Sequence, residues 1–181
     1  MLSIHLNETV AKLQGPTREQ IVAGNQWAAT ALGHYHKGGT AVFEFYLDGI
    51  GRSIKIQWDT NFSKAAMRER VDMAKNGAEA LAMFVMSVLL DFRYVEQSEI
   101  GEGVDYQFME TAPADNDLNF LQDGHHVEVS GLMEESSSNT LKGRIKDKHQ
   151  QIRDGKRIHT GRASVIVTLF HQPKTVKEEH L

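Results

Sequence analysis

Residues 80–90, Ala-Leu-Ala-Met-Phe-Val-Met-Ser-Val-Leu-Leu, are apolar on nearly every side at helical spacing. A helix of that kind must be buried by other elements or by lipid. The run is far short of the roughly 20 apolar residues that a membrane-spanning helix needs. Protein must therefore cover it, and a layered globular domain with no membrane span is expected. A chain of 181 residues suits one domain, or one with a small appendage. With 40% hydrophobic and 24% charged residues it can build a sizeable core. It has no cysteine, which rules out disulfides, thiolate metal sites and a cysteine nucleophile, and fits a cytoplasmic location. The first eight residues lack a basic stretch followed by an apolar one, so no signal peptide is expected.

Around that segment the chain divides into readable pieces. Residues 17–32 form a helix bounded by Pro16 and Gly33. Residues 41–47 and 53–58 form a β-hairpin in which Phe43, Phe45 and Leu47 share one face, as do Ile54, Ile56 and Trp58. One side of this hairpin must be covered, by the long helix or by a partner subunit or second copy. A helical stretch over residues 63–90 follows, with Asn76-Gly77 as a possible break because glycine costs about 1 kcal/mol in a helix interior. Residues 92–98, 104–110 and 125–132 read as short strands, joined by a polar linker over 111–123. Residues 136–139 offer helix caps for a basic helix reaching about residue 153, and 163–170 is an apolar strand. The Lys- and Glu-rich tail from residue 172 onward is expected to fray. The chain thus divides into an N-terminal part (1–62), a core (63–171) and a flexible tail (172–181).

The chemistry concentrates in two places. Asp105 sits in a Gly-x-Gly-x-Asp-Tyr turn, and Glu128 lies on the strand His-His-Val-Glu-Val-Ser-Gly. Alternation along that strand puts His126, Glu128 and Ser130 on one face and Val127 and Val129 on the other. The valines go to the core, which leaves Glu128 facing a site, with His126 beside it as a possible base or phosphate contact. Two converging carboxylates repel unless a proton or cation lies between them, and hard divalent cations favour oxygen ligands of this type. Glu79 falls in line with Met83, Met86 and Leu90 at helical spacing, so it must find a cation, a donor or a proton. The pairs His34/His36 and His125/His126 could ligate a transition metal, but nothing in the sequence brings them together.

Net charge is −4, yet residues 139–162 carry eight basic residues against two acids. Among them Lys142, Arg144, Lys148 and Arg153 are candidates for meeting a nucleic-acid backbone. No phosphate-binding Gly-x-x-x-x-Gly-Lys-Ser/Thr loop, complete dinucleotide fingerprint or Gly-x-Ser-x-Gly elbow is present.

From residue 78 to 170 the order helix, three strands, helix, strand resembles the core of the PD-(D/E)XK, or restriction-endonuclease-like, superfamily. The resemblance implies an α+β fold with a mixed sheet, preceded here by the N-terminal helix and hairpin. It also implies Mg²⁺-dependent phosphodiester hydrolysis or nucleic-acid binding. Asp105 and Glu128 would be the metal ligands and catalytic acids, and Glu79 the acid that some members add from the first helix. The family lysine falls at Ser130, which carries no charge. Either a lysine from the following helix replaces it, with Lys142 and Lys146 the nearest and Lys146 taken as catalytic, or the chemistry is lost. In the second case the domain is a scaffold or adaptor subunit of a bacterial complex, for example in phage defence. The segments around residues 96–98, 101–106 and 127–131 also resemble small uncharacterised bacterial proteins.

Overall fold

Strands from both halves of the chain meet in one mixed sheet of eight strands. The computed structural model describes residues 1–61, 69–98, 103–113, 124–155 and 162–180. Its strands are β1 (Ser3–His5), β2 (Thr40–Leu47), β3 (Ile50–Gln57), β4 (Tyr94–Gln97), β5 (Tyr106–Met109), β6 (His125–Leu132), β7 (Ala163–Leu169) and β8 (Lys174–His180). The helices are α1 (Glu8–Lys12), α2 (Arg18–Tyr35), α3 (Arg70–Phe84) and α4 (Leu141–Asp154), and α3 runs into a π-helical turn at Val85–Leu89. Across the sheet the order is β1-β3-β2-β8-β7-β6-β5-β4. The pairs β1/β3, β2/β8 and β6/β7 are parallel and the rest antiparallel. No helix among the described residues is long and apolar enough to cross a membrane.

The hairpin's apolar face is covered from within the chain. Phe43, Phe45, Ile54, Ile56 and Trp58 are buried in a core that also takes Ala28, Leu32, Leu81 and Phe84 from α2 and α3. Phe45 stacks on Phe84 with ring centroids 6.1 Å apart. The apolar segment over residues 80–90, the end of α3 and its π turn, lies in this core, with Leu81, Phe84, Val85 and Met86 all inaccessible to solvent. Helix α4 packs on β6 and β7 from the opposite face, where Ile152, Leu141 and Ile145 meet Val165 and Val167.

Three local expectations are corrected. Gly77 does not break α3, which is continuous from Arg70 to Phe84. A Cβ there would lie 3.2 Å from Ala28 Cα and 2.9 Å from Phe170 Cζ, so the glycine lets α2 and α3 pack closely. The basic helix is capped by Thr140, whose hydroxyl accepts from Gly143 N at 3.1 Å, rather than by any of residues 136–139. The expected helical residues 63–68 and linker residues 114–123 lie outside the described residues. The third correction is the largest: the tail does not fray. Residues 174–180 form β8, inserted between β2 and β7 near the middle of the sheet. Lys177, only 2% exposed, reaches Asp48 Oδ2 at 2.7 Å in the β2–β3 turn, and Glu179 N donates to Asp48 Oδ1 at 3.0 Å. A strand of lysines and glutamates is stable here because one face stays open and the covered lysine finds a carboxylate.

His125 shows what burial does on the covered face. Its Nε2 lies 2.7 Å from Ser164 Oγ, and its ring contacts Phe92 edge-on. Burial first, then the positive charges of Lys177 and Arg162, depress its pKa to about 4, with Glu179 and Asp48 opposing. The unfolded chain takes up this proton near pH 6.5. Stability held by neutral His125 is therefore full above about pH 6.5 and lost as pH falls toward 4, on the order of 3 kcal/mol in all. Urea midpoints of wild type and His125→Gln should differ at pH 7 and draw together by pH 4.5. A gap that stays constant with pH would refute this assignment.

Candidate functional site

The C-terminal end of β6 opens into a cleft of about 440 Å³ between α3 and α4. Its walls carry Arg70, Lys75 and Glu79 from α3, Arg144 and Lys148 from α4, and Asp105 and Ser130 from the sheet. Strand alternation puts Glu128 on the face away from the valines, as expected, but the residue is buried beneath α4 and does not itself line the cleft. Val127 and Val129 enter the core with α3, while Glu128 lies on the α4 face across from Val165.

Asp105 precedes β5, where the backbone ladder with β6 stops. Its N–H donates to Val127 O at 3.0 Å, and its side chain takes over as acceptor, with Val129 N donating to Oδ2 at 2.7 Å. This fixes the carboxylate beside Glu128. Gly103 makes the approach possible: its φ is +82°, and a Cβ there would come within 2.9 Å of Gln151 O and Gly155 Cα at the end of α4. The glycine serves the contact between strand and helix.

Glu128 is 0% exposed. Lys148 Nζ donates to its Oε1 at 2.5 Å, while Oε2 is buried with no hydrogen-bond donor among the described residues. Burial pushes the Glu128 pKa up to about 7, the charge of Asp105 adds to the rise, and Lys148 opposes both. Glu79 lies nearby on α3 and accepts from Tyr106 Oη at 3.0 Å. Its pKa is raised mainly by burial, with the Tyr106 hydrogen bond and Lys75 opposing and Asp105 adding.

The lysine that reaches the carboxylates is Lys148. Lys146, like Lys142 and Arg153, lines a separate groove on the other side of α4. The helix's own apolar stripe decides this. Leu141, Ile145 and Ile152 face the sheet, so Arg144 and Lys148 flank the stripe on one side and Lys142, Lys146 and Arg153 on the other. That stripe is present in the sequence and is the signal that selects Lys148. Arg144 lines the cleft with Nη2 2.9 Å from Asn139 Oδ1, and its buried Nε has no acceptor among the described residues. Arg70 is held by Glu134 at 2.7 Å and by Tyr35 Oη at 2.8 Å. His126 is buried rather than open to the cleft. His36 faces Phe170 O at 2.9 Å, away from the other histidine pair's surroundings.

Among the described residues no three His, Cys, Asp or Glu side chains gather as a metal cluster. Mg²⁺ needs fewer, because it keeps several waters and is commonly held by one or two carboxylates together with substrate phosphates. The donor-free oxygen of Glu128, beside a second carboxylate, suits such an ion. Comparison of the chain with protein-family models, with curated proteins and with solved structures gives no match.

Proposed function

We propose that the cleft is a metal-dependent phosphodiesterase site acting on nucleic acid, with Asp105 and Glu128 holding Mg²⁺ or a similar divalent cation. The observation that carries the reading is the pairing of buried Glu128 with Lys148 and its interaction with Asp105, just behind the wall of a cleft that Asp105 and Lys148 line together with Arg70, Lys75 and Arg144. The succession α3, β4, β5, β6, α4, β7, with β6 parallel to β7, supports a restriction-endonuclease-like core, with Lys148 in place of the lysine missing at position 130.

When bound, the ion would polarise the phosphate and lower the pKa of a water beside it. The chain's own groups do the rest. Lys148 neutralises Glu128 and offers positive charge where charge grows on the phosphate. Arg144, with its free Nε, and Lys75 meet phosphate oxygens, and Ser130 can donate a hydrogen bond at the floor. Water adds to phosphorus as one P–O ester bond breaks, and the leaving oxygen takes up a proton.

The test is nicking of supercoiled DNA, and cleavage of RNA, by purified protein with Mg²⁺ or Mn²⁺. Asp105→Asn should reduce cleavage by more than about a hundredfold, the scale on which a lost stabilising group acts at a reacting centre. Its melting temperature without metal should barely change, since asparagine can still accept from Val129 N. Cleavage that survives this substitution, or proceeds in chelator, would overturn the reading.

A second reading, a non-catalytic scaffold, is favoured by the complete burial of Glu128 and its direct pairing with Lys148. A buried ion pair kept only for structure can often be replaced by apolar residues at no cost or a gain in stability. Under the scaffold reading, Glu128→Met combined with Lys148→Met changes stability alone, and wild type cleaves nothing.

A further inference from the structure

Helix α4 covers β6 and β7 and reaches β8 through His149, which stacks on His180 and faces Glu178, while Val176 and Tyr46 on the same face stay partly open. Between the helix and that open face runs a groove of about 750 Å³, separate from the cleft on the other side of α4. Lys142, Lys146 and Arg153 line its helical wall, and Lys174, Val176 and Tyr46 its floor. Register places Tyr46 opposite Val176 and Glu44 opposite Lys174 on this face, while Phe45 and Thr175 point into the core.

The charge in the groove is one-sided. Lys142, Lys146, Arg153 and Lys174 pair with no carboxylate among the described residues. Among the described residues that line the groove the one acid is Glu178, which faces His149 at 3.4 Å, and Glu44, opposite Lys174 on β2, accepts from Ser53 Oγ at 2.6 Å. Lys142, Lys146 and Arg153 recur along one side of the helix at about one cation per turn or two, each turn rising about 5.4 Å. Tyr46 is 38% exposed, and the Lys174 ammonium sits 5.4 Å from its ring centroid. A row of cations beside an exposed aromatic ring with a cation at its face is the arrangement that holds single strands, phosphates on the cations and a base on the ring. A smooth polyanion would have no use for the ring. An acidic peptide would match the charge but not the flat aromatic floor.

We infer that this groove binds a single strand of nucleic acid, with phosphates along Lys142, Lys146 and Arg153 and a base stacked on Tyr46. The inference rests on the nucleic-acid reading of the neighbouring cleft for its choice of polyanion, but its binding can be measured without cleavage.

The experiment is fluorescence anisotropy of the full chain with a labelled short oligothymidylate across a salt series, with chelator present. Binding should be salt-dependent. Lys146→Gln with Arg153→Gln should make the slope of log affinity against log salt shallower by roughly 0.7 for each lost contact. Tyr46→Ala should weaken binding roughly five- to 150-fold, the loss of one stacked base. Tyr46→Leu keeps an apolar cover over Gly51 and should show the same loss with an unchanged melt, which separates stacking from folding. Unchanged affinity in Tyr46→Leu, an unchanged salt slope in the lysine–arginine variant, or equal binding of polyglutamate would each overturn the inference, the last in favour of an acidic protein partner. Strand binding without any metal-dependent cleavage sinks the reading of the cleft and leaves the groove standing. Cleavage lost in Asp105→Asn with strand affinity intact in the groove variants does the reverse.

Discussion

A chain ending at residue 173 is expected not to fold. Strand β8 pairs with β7 from Ala163–His180 to Leu169–Lys174 and with β2 from Glu44–Lys174 to Leu47–Lys177. Removing it breaks both ladders at once. Each lost backbone hydrogen bond costs about 1 kcal/mol, against about 5–15 kcal/mol for a whole domain. The loss also leaves Asp48 without Lys177 and Glu179 N, which fix the β2–β3 turn. Two newly exposed edges, at β2 and β7, would then be open to aggregation. Circular dichroism should show no cooperative melt for the truncated chain, and a synthetic peptide of residues 174–181 added in trans should restore one. A truncated protein that melts cooperatively near the wild-type temperature would show that β8 is an accessory.

The second large effect is expected at Gly131, where β6 passes under α3. A Cβ at this position would lie 1.9 Å from Ala74 O, 2.7 Å from Ala74 C and 2.9 Å from Ala78 Cβ. Two of these atoms are helix backbone, which no side-chain rotation can relieve. Overpacking in cores costs about 1–3 kcal/mol and sometimes more, and Gly131→Ala should fall at or above the top of that range. Gly24→Ala is the matched control. Its Cβ would sit 3.6 Å from Ala80 Cβ, an ordinary contact in a helix interior, so alanine there should be neutral or stabilise by up to about 1 kcal/mol. Denaturant midpoints of the two variants should move in opposite directions. Equal effects would mean that α3 is free to shift away from the sheet.

Where alternation of apolar residues was strong, the sequence was readable. The hairpin's Phe43, Phe45, Ile54 and Ile56, and Val127 and Val129 of β6, all face the core as their spacing implies. The hairpin needs no partner to cover it, because α2 and α3 supply that cover. Helix α2 starts where expected, with Thr17 as its cap in reciprocal bonds with Gln20, but it runs through Gly33 to Tyr35 instead of ending at residue 32. What stayed hidden depended on distant contacts. Strand β8 has a single aliphatic residue, Val176, among lysines and glutamates, and its buried lysine pairs with a carboxylate 129 positions earlier. No local pattern encodes that pair. At the candidate site, the two carboxylates were legible from strand alternation and the glycine-bounded turn. The lysine was not, because choosing Lys148 over Lys146 requires the rotational setting of α4 on the sheet. That setting follows from Leu141, Ile145 and Ile152 taken together, not from distance along the chain.

The position of β8 also bears on how the protein is made. During synthesis, β2 and β3 emerge early and β7 late, but residues 174–180 come after all of them. Until they arrive, the two halves of the sheet have no strand between them. The nascent chain therefore carries one unpaired edge, at β2, for most of its translation, and its decisive pairing, β2 with β8, closes a loop of well over a hundred residues. Non-local closure of this kind slows folding, and exposed edges in slow intermediates favour misassembly. Yield in cells should accordingly depend on chaperone capacity and growth temperature more than the stability of the finished fold would suggest.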